Sequence, residues 1–314
     1  IVDNKISLEF NVEENQRIVV SKINIFGNNI TKENVIRNQL ELDEGDTFNK
    51  ILVAKSINNI KNLNFFKVVD SEILDTNEGS KVINIAVEEK PTGEISAGAG
   101  VGTSGGTIGF GIKENNYLGS GVKLDANMTI TEDSLKGLFS VRNPNYKNTD
   151  KSLYTSIQAT ELNKLSDFGY KTSKTGISFG TGFEYYKDLN LSLGLNSFYE
   201  TIDTDSTAST RQKNQAGNYF DTFVNLKFEY DKRDQKFQTT DGFITRFNQT
   251  LPVISESNTV ISGLISDHFF SFGEMTTSFG FYLKNAVGLS DDVRISERLG
   301  LPRKRLRGFK PGRI

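Results

Sequence analysis

Four short stretches of this chain hold the residues that could do chemistry. Gly100-Val101-Gly102-Thr103-Ser104-Gly105 has the glycine spacing of a dinucleotide-binding loop. That chemistry needs a helix directly after the glycines, whose N-terminus receives the pyrophosphate. Thr107 to Ile112 follows instead, alternating like a strand, so no cofactor site is expected here. His268 is the only histidine. General-base catalysis would require a nucleophile and an orienting partner beside it, and the sequence places neither. Asp231-Lys232-Arg233-Asp234, followed by Thr240-Asp241-Gly242, concentrates charge and turn-forming residues, as a solvated turn does. Leu306-Arg307-Gly308-Phe309 follows the basic run Arg303-Lys304-Arg305 and precedes Lys310-Pro311-Gly312-Arg313. An arginine there could be buried only if paired and fully hydrogen-bonded.

Composition closes further routes. With no cysteine among 314 residues there is no disulfide, thiolate nucleophile or thiolate metal site. A net charge of −2 and a pI near 5.7 offer no basic surface for nucleic acid. No P-loop, metal-ligand cluster or paired-carboxylate signature is present, so the chain is expected not to be an enzyme and to need no cofactor. Neither an apolar run of 18 residues nor a signal segment occurs. Ile1 is not an initiator methionine, so a truncated start is expected.

The elements that must carry these residues are mostly strands. From Val122 to Ile130, Val122, Leu124, Ala126, Met128 and Ile130 alternate with Lys123, Asp125, Asn127 and Thr129. Leu189, Leu191, Leu193, Leu195 and Ser197 alternate in the same way with Asn190, Ser192, Gly194 and Asn196. A period of two makes each a strand with one apolar and one polar face. Strands are expected near 94–103, 107–116, 121–131, 134–142, 151–161, 173–186, 189–200, 219–231, 242–251, 258–270 and 275–289. A mean hydropathy of −0.40 does not argue against a membrane barrel, because only every second strand residue faces lipid. Asn143–Asp150, Asn163–Thr172 and Thr201–Asn218 read as long outer loops alternating with tight turns. Tyr117, Tyr146, Tyr185, Tyr186, Tyr219 and Tyr230 sit at strand ends, where interfacial aromatic girdles lie. Gly98, Gly100 and Gly102 would face the lumen and leave the first strand, which contains Ile95, thinly packed.

Before these strands lies a smaller unit. Ile18 to Phe26 is a strand closed by Gly27-Asn28-Asn29. Thr31 is a candidate N-cap for a helix carrying Val35, Ile36 and Leu40. Asn49 is a candidate cap for a second helix carrying Ile51, Leu52, Ala54, Ile57, Ile60 and Leu63. Phe65–Leu74 and Lys81–Val87 read as two further strands, joined at Asn77-Glu78-Gly79. Val12-Glu13-Glu14 and Val87-Glu88-Glu89 repeat at a spacing of 75 residues, the mark of a module used in tandem.

This strand-helix-helix-strand-strand order, with Ile25-Phe26-Gly27-Asn28 closing the first strand, resembles the POTRA module of the BamA family of outer-membrane assembly proteins. Asp231-Lys232-Arg233-Asp234 with Thr240-Asp241-Gly242 resembles that family's mid-barrel turn, with Thr239 where proline is usual. Leu306-Arg307-Gly308-Phe309 resembles its sixth-loop signature, with Pro302-Arg303 in place of an upstream glycine pair. The resemblance implies a mainly β fold. Residues 1–15 would end a preceding POTRA module, 16–91 would form a whole α+β one, and 92–314 would be an antiparallel transmembrane β-barrel, incomplete within its long sixth extracellular loop. About 11 of roughly sixteen strands would be present, since such barrels have even strand numbers.

The implied function is insertion of unfolded outer-membrane proteins into the bacterial outer membrane, with the module in the periplasm. Clients would pair with a weak first strand containing Ile95, Gly98, Gly100 and Gly102, and Lys81–Val87 or Phe65–Leu74 would offer the module's exposed edge. Asp231, Arg233, Asp234 and Gly242 would shape the mid-barrel turn. Arg307 would fold into the lumen to meet carboxylates on later strands. The implied partners are client proteins, accessory assembly lipoproteins at the module and membrane lipid. Two rivals share parts of the pattern: a related transporter for two-partner secretion or autotransporter translocation, and a passive porin-like barrel. The porin predicts no soluble module ahead of the first strand.

Overall fold

The computed structural model describes residues 17–76, 79–102, 105–235, 238–256, 258–290 and 292–300. The expected end of a preceding module and the segment Leu306–Phe309 lie outside them. The chain divides into two compact units. One runs up to Thr92 and takes in Leu118–Ser120, and the other comprises Gly93–Tyr117 and the chain from Gly121 onward.

The first unit contains β1 (Val20–Phe26), α1 (Glu33–Arg37), α2 (Lys50–Asn62), β2 (Phe66–Asp75) and β3 (Lys81–Glu89). The expected element order is therefore present. α2 begins where the Asn49 side chain accepts the N–H groups of Ile51 at 2.8 Å and Leu52 at 3.4 Å. Two orphan donors of the first turn are thereby satisfied. The buried stripe of α2 is Val53, Ile57 and Ile60, packed with Ile23, Ile36, Ile83 and Ile85 of the neighbouring elements. Ile51 lies off that stripe and is 77% exposed, and Ala54 is exposed as well, so the expected apolar face is rotated.

Two other expectations fail in this unit. Thr31 does not cap α1; the N-cap is Lys32, with no side-chain cap bond, and the helix ends before Leu40. Thr31 is instead buried, and its N–H donates to Glu89 Oε1 at 2.6 Å. The sheet order is β1-β3-β2. β3 pairs in parallel with β1 and antiparallel with β2, so Lys81–Val87 is central and cannot be the free edge. β2 is an edge, as Phe65–Leu74 was expected to be.

The second unit is an eleven-stranded antiparallel sheet in which each strand pairs with the next in sequence. The strands are β4 (Gly93–Gly102), β5 (Gly105–Tyr117), β6 (Val122–Thr131), β7 (Ser134–Asn143), β8 (Ser152–Lys164), β9 (Tyr170–Tyr186), β10 (Leu189–Thr204), β11 (Gly217–Asp231), β12 (Gly242–Ile254), β13 (Thr259–Phe272) and β14 (Met275–Gly288). The eleven expected strands are all present, within a few residues of their expected ends. Among the described residues the sheet is not closed: β4 and β14 are its two edges.

Cross-strand partners share a face, so the register sorts every side chain. Ala126 stands opposite Ile112 and Phe139. Leu193 stands opposite Thr181 and Leu226. This face carries half-exposed Phe110, Phe139, Phe179, Leu193, Phe281 and Leu283. The cluster of buried apolar residues lies in the first unit, so the apolar face of the sheet is not the core of a soluble sandwich. So broad an apolar surface exceeds what a water-soluble monomer tolerates.

The expected separation of long loops from tight turns is not observed. In an antiparallel meander successive connections alternate ends, so the long connection after β7 and the two-residue turn Lys187-Asp188 lie at the same end. That is the end where β4 begins.

Candidate functional site

Three places in the sheet are built for more than wall. The first is β4. It pairs with β5 from Gly93↔Glu114 to Gly102↔Gly105, and its other backbone edge has no partner among the described residues. Ile95 points to the apolar face and is 83% exposed. Gly98 and Gly100 fall on the polar face, where a Cβ at either position would meet nothing within 4 Å. Gly98 stands opposite another glycine, Gly109. The strand is held chiefly by its hydrogen bonds to β5 and gains little from side-chain packing on the polar face.

The second is the connection from β11 to β12, which brings Asp231, Arg233, Asp234 and Gly242 together. Arg233 grips Asp231 through two parallel bonds of 2.8 Å, a bidentate pair with geometric specificity. Asp234 accepts from the Thr240 hydroxyl at 2.5 Å and from the N–H groups of Thr240 and Asp241 at 3.1 and 3.2 Å. These donors, with the Thr240 hydroxyl foremost, lower the Asp234 pKa to about 2. Gly242 has φ +97°, and a Cβ there would lie 2.2 Å from the Lys232 carbonyl oxygen, so only glycine fits. Lys232 Nζ bonds Asp188 Oδ2 at 2.7 Å, tying this connection to the neighbouring turn and raising the lysine pKa.

The third was not anticipated. After β14 the chain doubles back and inserts Arg294, whose side chain is 4% exposed, between Glu200 on β10 and Asp221 on β11. Nη1 lies 2.5 Å from Asp221 Oδ2 and 3.3 Å from Glu200 Oε2. The guanidinium rests on the Tyr219 ring, 3.8 Å from its centroid. Ser296 donates to Glu200 at 2.9 Å, and the Ile295 N–H donates to Gln215 Oε1 at 2.9 Å. Asp221 Oδ1 and Arg294 Nη2 are buried without a partner among the described residues, so the cluster is not fully satisfied. Tyr219 therefore lies beneath this arginine on the polar face and belongs to no girdle. The arginine expected to fold inward was Arg307, which lies outside the described residues. The sequence could not say that Arg294 makes such a contact, because its carboxylates lie 94 and 73 residues away.

His268 sits on the apolar face between Phe243 and Phe270, with ring centroids at 5.3 and 6.4 Å, and its Nε2 shares a hydrogen bond with Ser266. Its cross-strand partner is Phe243, so it adjoins the start of β12 beside Gly242. Among the described residues no group of acidic or histidine side chains could hold a metal.

A single-layer antiparallel meander with one hydrocarbon face and one polar face, preceded by a β-α-α-β-β module, defines a membrane β-barrel protein with a small α+β module ahead of its strands. Comparison with known families agrees: residues 116–314 match the Omp85 superfamily domain, and residues 18–90 match the POTRA family described as surface antigen variable number repeat. The chain belongs to the Omp85 superfamily, and within it to the BamA family. It is 28% identical to the outer membrane protein assembly factor BamA of Neorickettsia risticii over 77% of this chain and 33% of that protein. It is 24% identical to the protein of that name from Nitratidesulfovibrio vulgaris over 78% of this chain and 31% of that protein. The chain thus spans about a third of the length of these relatives. Among solved structures, Haemophilus ducreyi BamA lacking POTRA domains 1–3 superposes with a TM-score of 0.71 at 21% identity, covering 88% of this chain and 57% of that one. CdiB from Acinetobacter baumannii gives 0.56 at 12% identity, covering 94% and 57%, which is a likeness of fold alone. The strands therefore lie in the bacterial outer membrane, with the module in the periplasm.

Proposed function

We propose that this chain is part of an outer-membrane assembly factor that takes unfolded β-barrel proteins from the periplasm and inserts them into the bilayer by strand pairing. One observation carries the reading: β4 is a strand of the membrane sheet whose outer backbone edge has no partner among the described residues and whose polar face is bare glycine at Gly98 and Gly100. Unpaired backbone groups in hydrocarbon cost several kcal/mol each, so such an edge demands a partner. A weakly held strand can exchange one partner for another. A client strand that pairs there satisfies both backbones without any demand on its sequence. The names of the BamA relatives support this reading.

In the periplasm the edge strand β2 offers main-chain groups to extended clients, and the module is the docking place for accessory assembly lipoproteins. The reaction makes no covalent bond and uses no nucleotide, because barrel folding in lipid is itself downhill. Photo-crosslinkers placed in the full-length protein at Ile95, Ala97 and Ala99 should capture a stalled client in the membrane. Ile177, in the middle of the sheet, should capture little. Equal yields at all four positions would reject the strand-pairing route.

A further inference from the structure

The apolar face of the sheet has a hollow of about 640 Å³ near the end where β4 begins. Val141, Leu153, Thr155, Phe179, Thr181 and Leu195 contribute to its lining, all of them on the apolar face by register. Threonine at 155 and 181 is shorter than its neighbours Phe179, Leu153 and Leu195, which leaves the depression. Tyr146, in the connection after β7, borders it as well.

Two ammonium groups stand at this border. Lys147 Nζ lies over the Tyr146 ring at 5.3 Å, and Lys151 Nζ lies over the Phe183 ring at 5.8 Å. Lys151 has the same parity as Leu153, so it continues the apolar face at the strand's beginning. Both lysines are exposed, and neither makes an ion pair among the described residues. The nearest acidic residue in the connection, Asp150, is turned back on Asn145, accepting its side-chain amide at 3.4 Å. Tyr185, 71% exposed on the same face and at the same end, marks the depth at which an aromatic ring sits between hydrocarbon and headgroups.

We propose that this hollow is a specific site for an anionic phospholipid of the periplasmic leaflet. One acyl chain lies across Thr155 and Thr181, and the phosphate group meets Lys147 and Lys151. The two halves of the site match the two halves of the ligand. The hollow accepts hydrocarbon, and its border supplies positive charge at headgroup depth that no ion pair engages among the described residues. A zwitterionic lipid fits the same hollow but brings a cationic group to the same lysines. The inference rests on the reading that the apolar face lies in lipid.

The test uses the full-length protein, otherwise free of cysteine, in vesicles. Thr155→Cys is labelled with a small fluorophore, and quenching is compared between phosphatidylglycerol and phosphatidylcholine brominated on their acyl chains. Leu283→Cys, on the apolar face of β14, is the reference position. A lysine near an anionic headgroup favours it by about five-fold, so the site should prefer phosphatidylglycerol by about five- to twenty-five-fold over the reference position. Lys147→Gln with Lys151→Gln should return the preference to that of the reference, with thermal unfolding unchanged. Equal quenching by the two lipids at Thr155→Cys, or a preference that survives the double substitution, overturns the proposal. Absence of quenching by either lipid would overturn it too, and would in addition refute the placement of the apolar face in the membrane.

Discussion

Replacing Arg294 by methionine keeps much of the side-chain volume and removes the charge. Glu200 and Asp221 are 1% and 0% exposed, so the substitution leaves two carboxylates in a dry site with no cation between them. Removing one partner of a buried pair costs about 3–5 kcal/mol, because the charge left behind has lost both water and its counterion. The cost falls on the segment that Arg294 fastens, which can swing out and let water reach the carboxylates. At about 1.4 kcal/mol per tenfold change, the open form should gain on the order of a hundred- to a thousand-fold in population. The Ile295 amide reports this directly, since its hydrogen bond to Gln215 exists only while the segment is docked. Hydrogen exchange at Ile295 should accelerate by about that factor in Arg294→Met, while amides in β6 to β8 keep their rates. Adding Glu200→Gln and Asp221→Asn to the same chain should restore much of the protection, because the two carboxylates that Arg294 bridges then carry no charge. An Ile295 amide that exchanges as slowly in Arg294→Met as in the parent would refute the claim that this ion cluster holds the segment. Equal acceleration throughout the sheet would assign the arginine a global rather than a local role.

Two further substitutions probe the connection between β11 and β12. Gly242→Ala forces a side chain into φ +97° and against the Lys232 carbonyl, so it should cost about 1–3 kcal/mol and lower the yield of folded barrel in a lipid refolding assay. Asp234 has its folded pKa depressed to about 2 from an ordinary 3.8, so its contribution to stability is full above about pH 4 and is lost as the pH falls toward 2. Proteolysis of the connection should therefore rise across that interval. In Asp234→Asn the rise should be absent, and the connection should be the more accessible form at neutral pH.

Much of the architecture is legible in the sequence because the strands obey a period of two. Leu124, Ala126, Met128 and Ile130 declare a face, and a slip of one residue would reverse it. Asn49 was readable as a cap because its effect reaches only two and three residues along the chain. α2 was readable as a helix but not in its phase. Apolar residues occupy more than one stripe of that helix, and the packing of β1, β3 and α1 decided that Val53 would be buried and Ile51 exposed. Thr31 has the composition of a cap, yet the Glu89 carboxylate, brought from 58 residues away, took its N–H.

Local periodicity by itself determined that this chain forms a run of amphipathic antiparallel strands behind a small α+β module, because each strand's face and each turn depends on neighbours a few residues distant. Tertiary structure alone decided the pairing order, leaving β3 enclosed and β4 at an edge among the described strands. It also decided that Arg294 would find its two carboxylates. Pairing order and buried charge compensation are relations between residues tens of positions apart, and no pattern of spacing along the chain encodes which of them will meet.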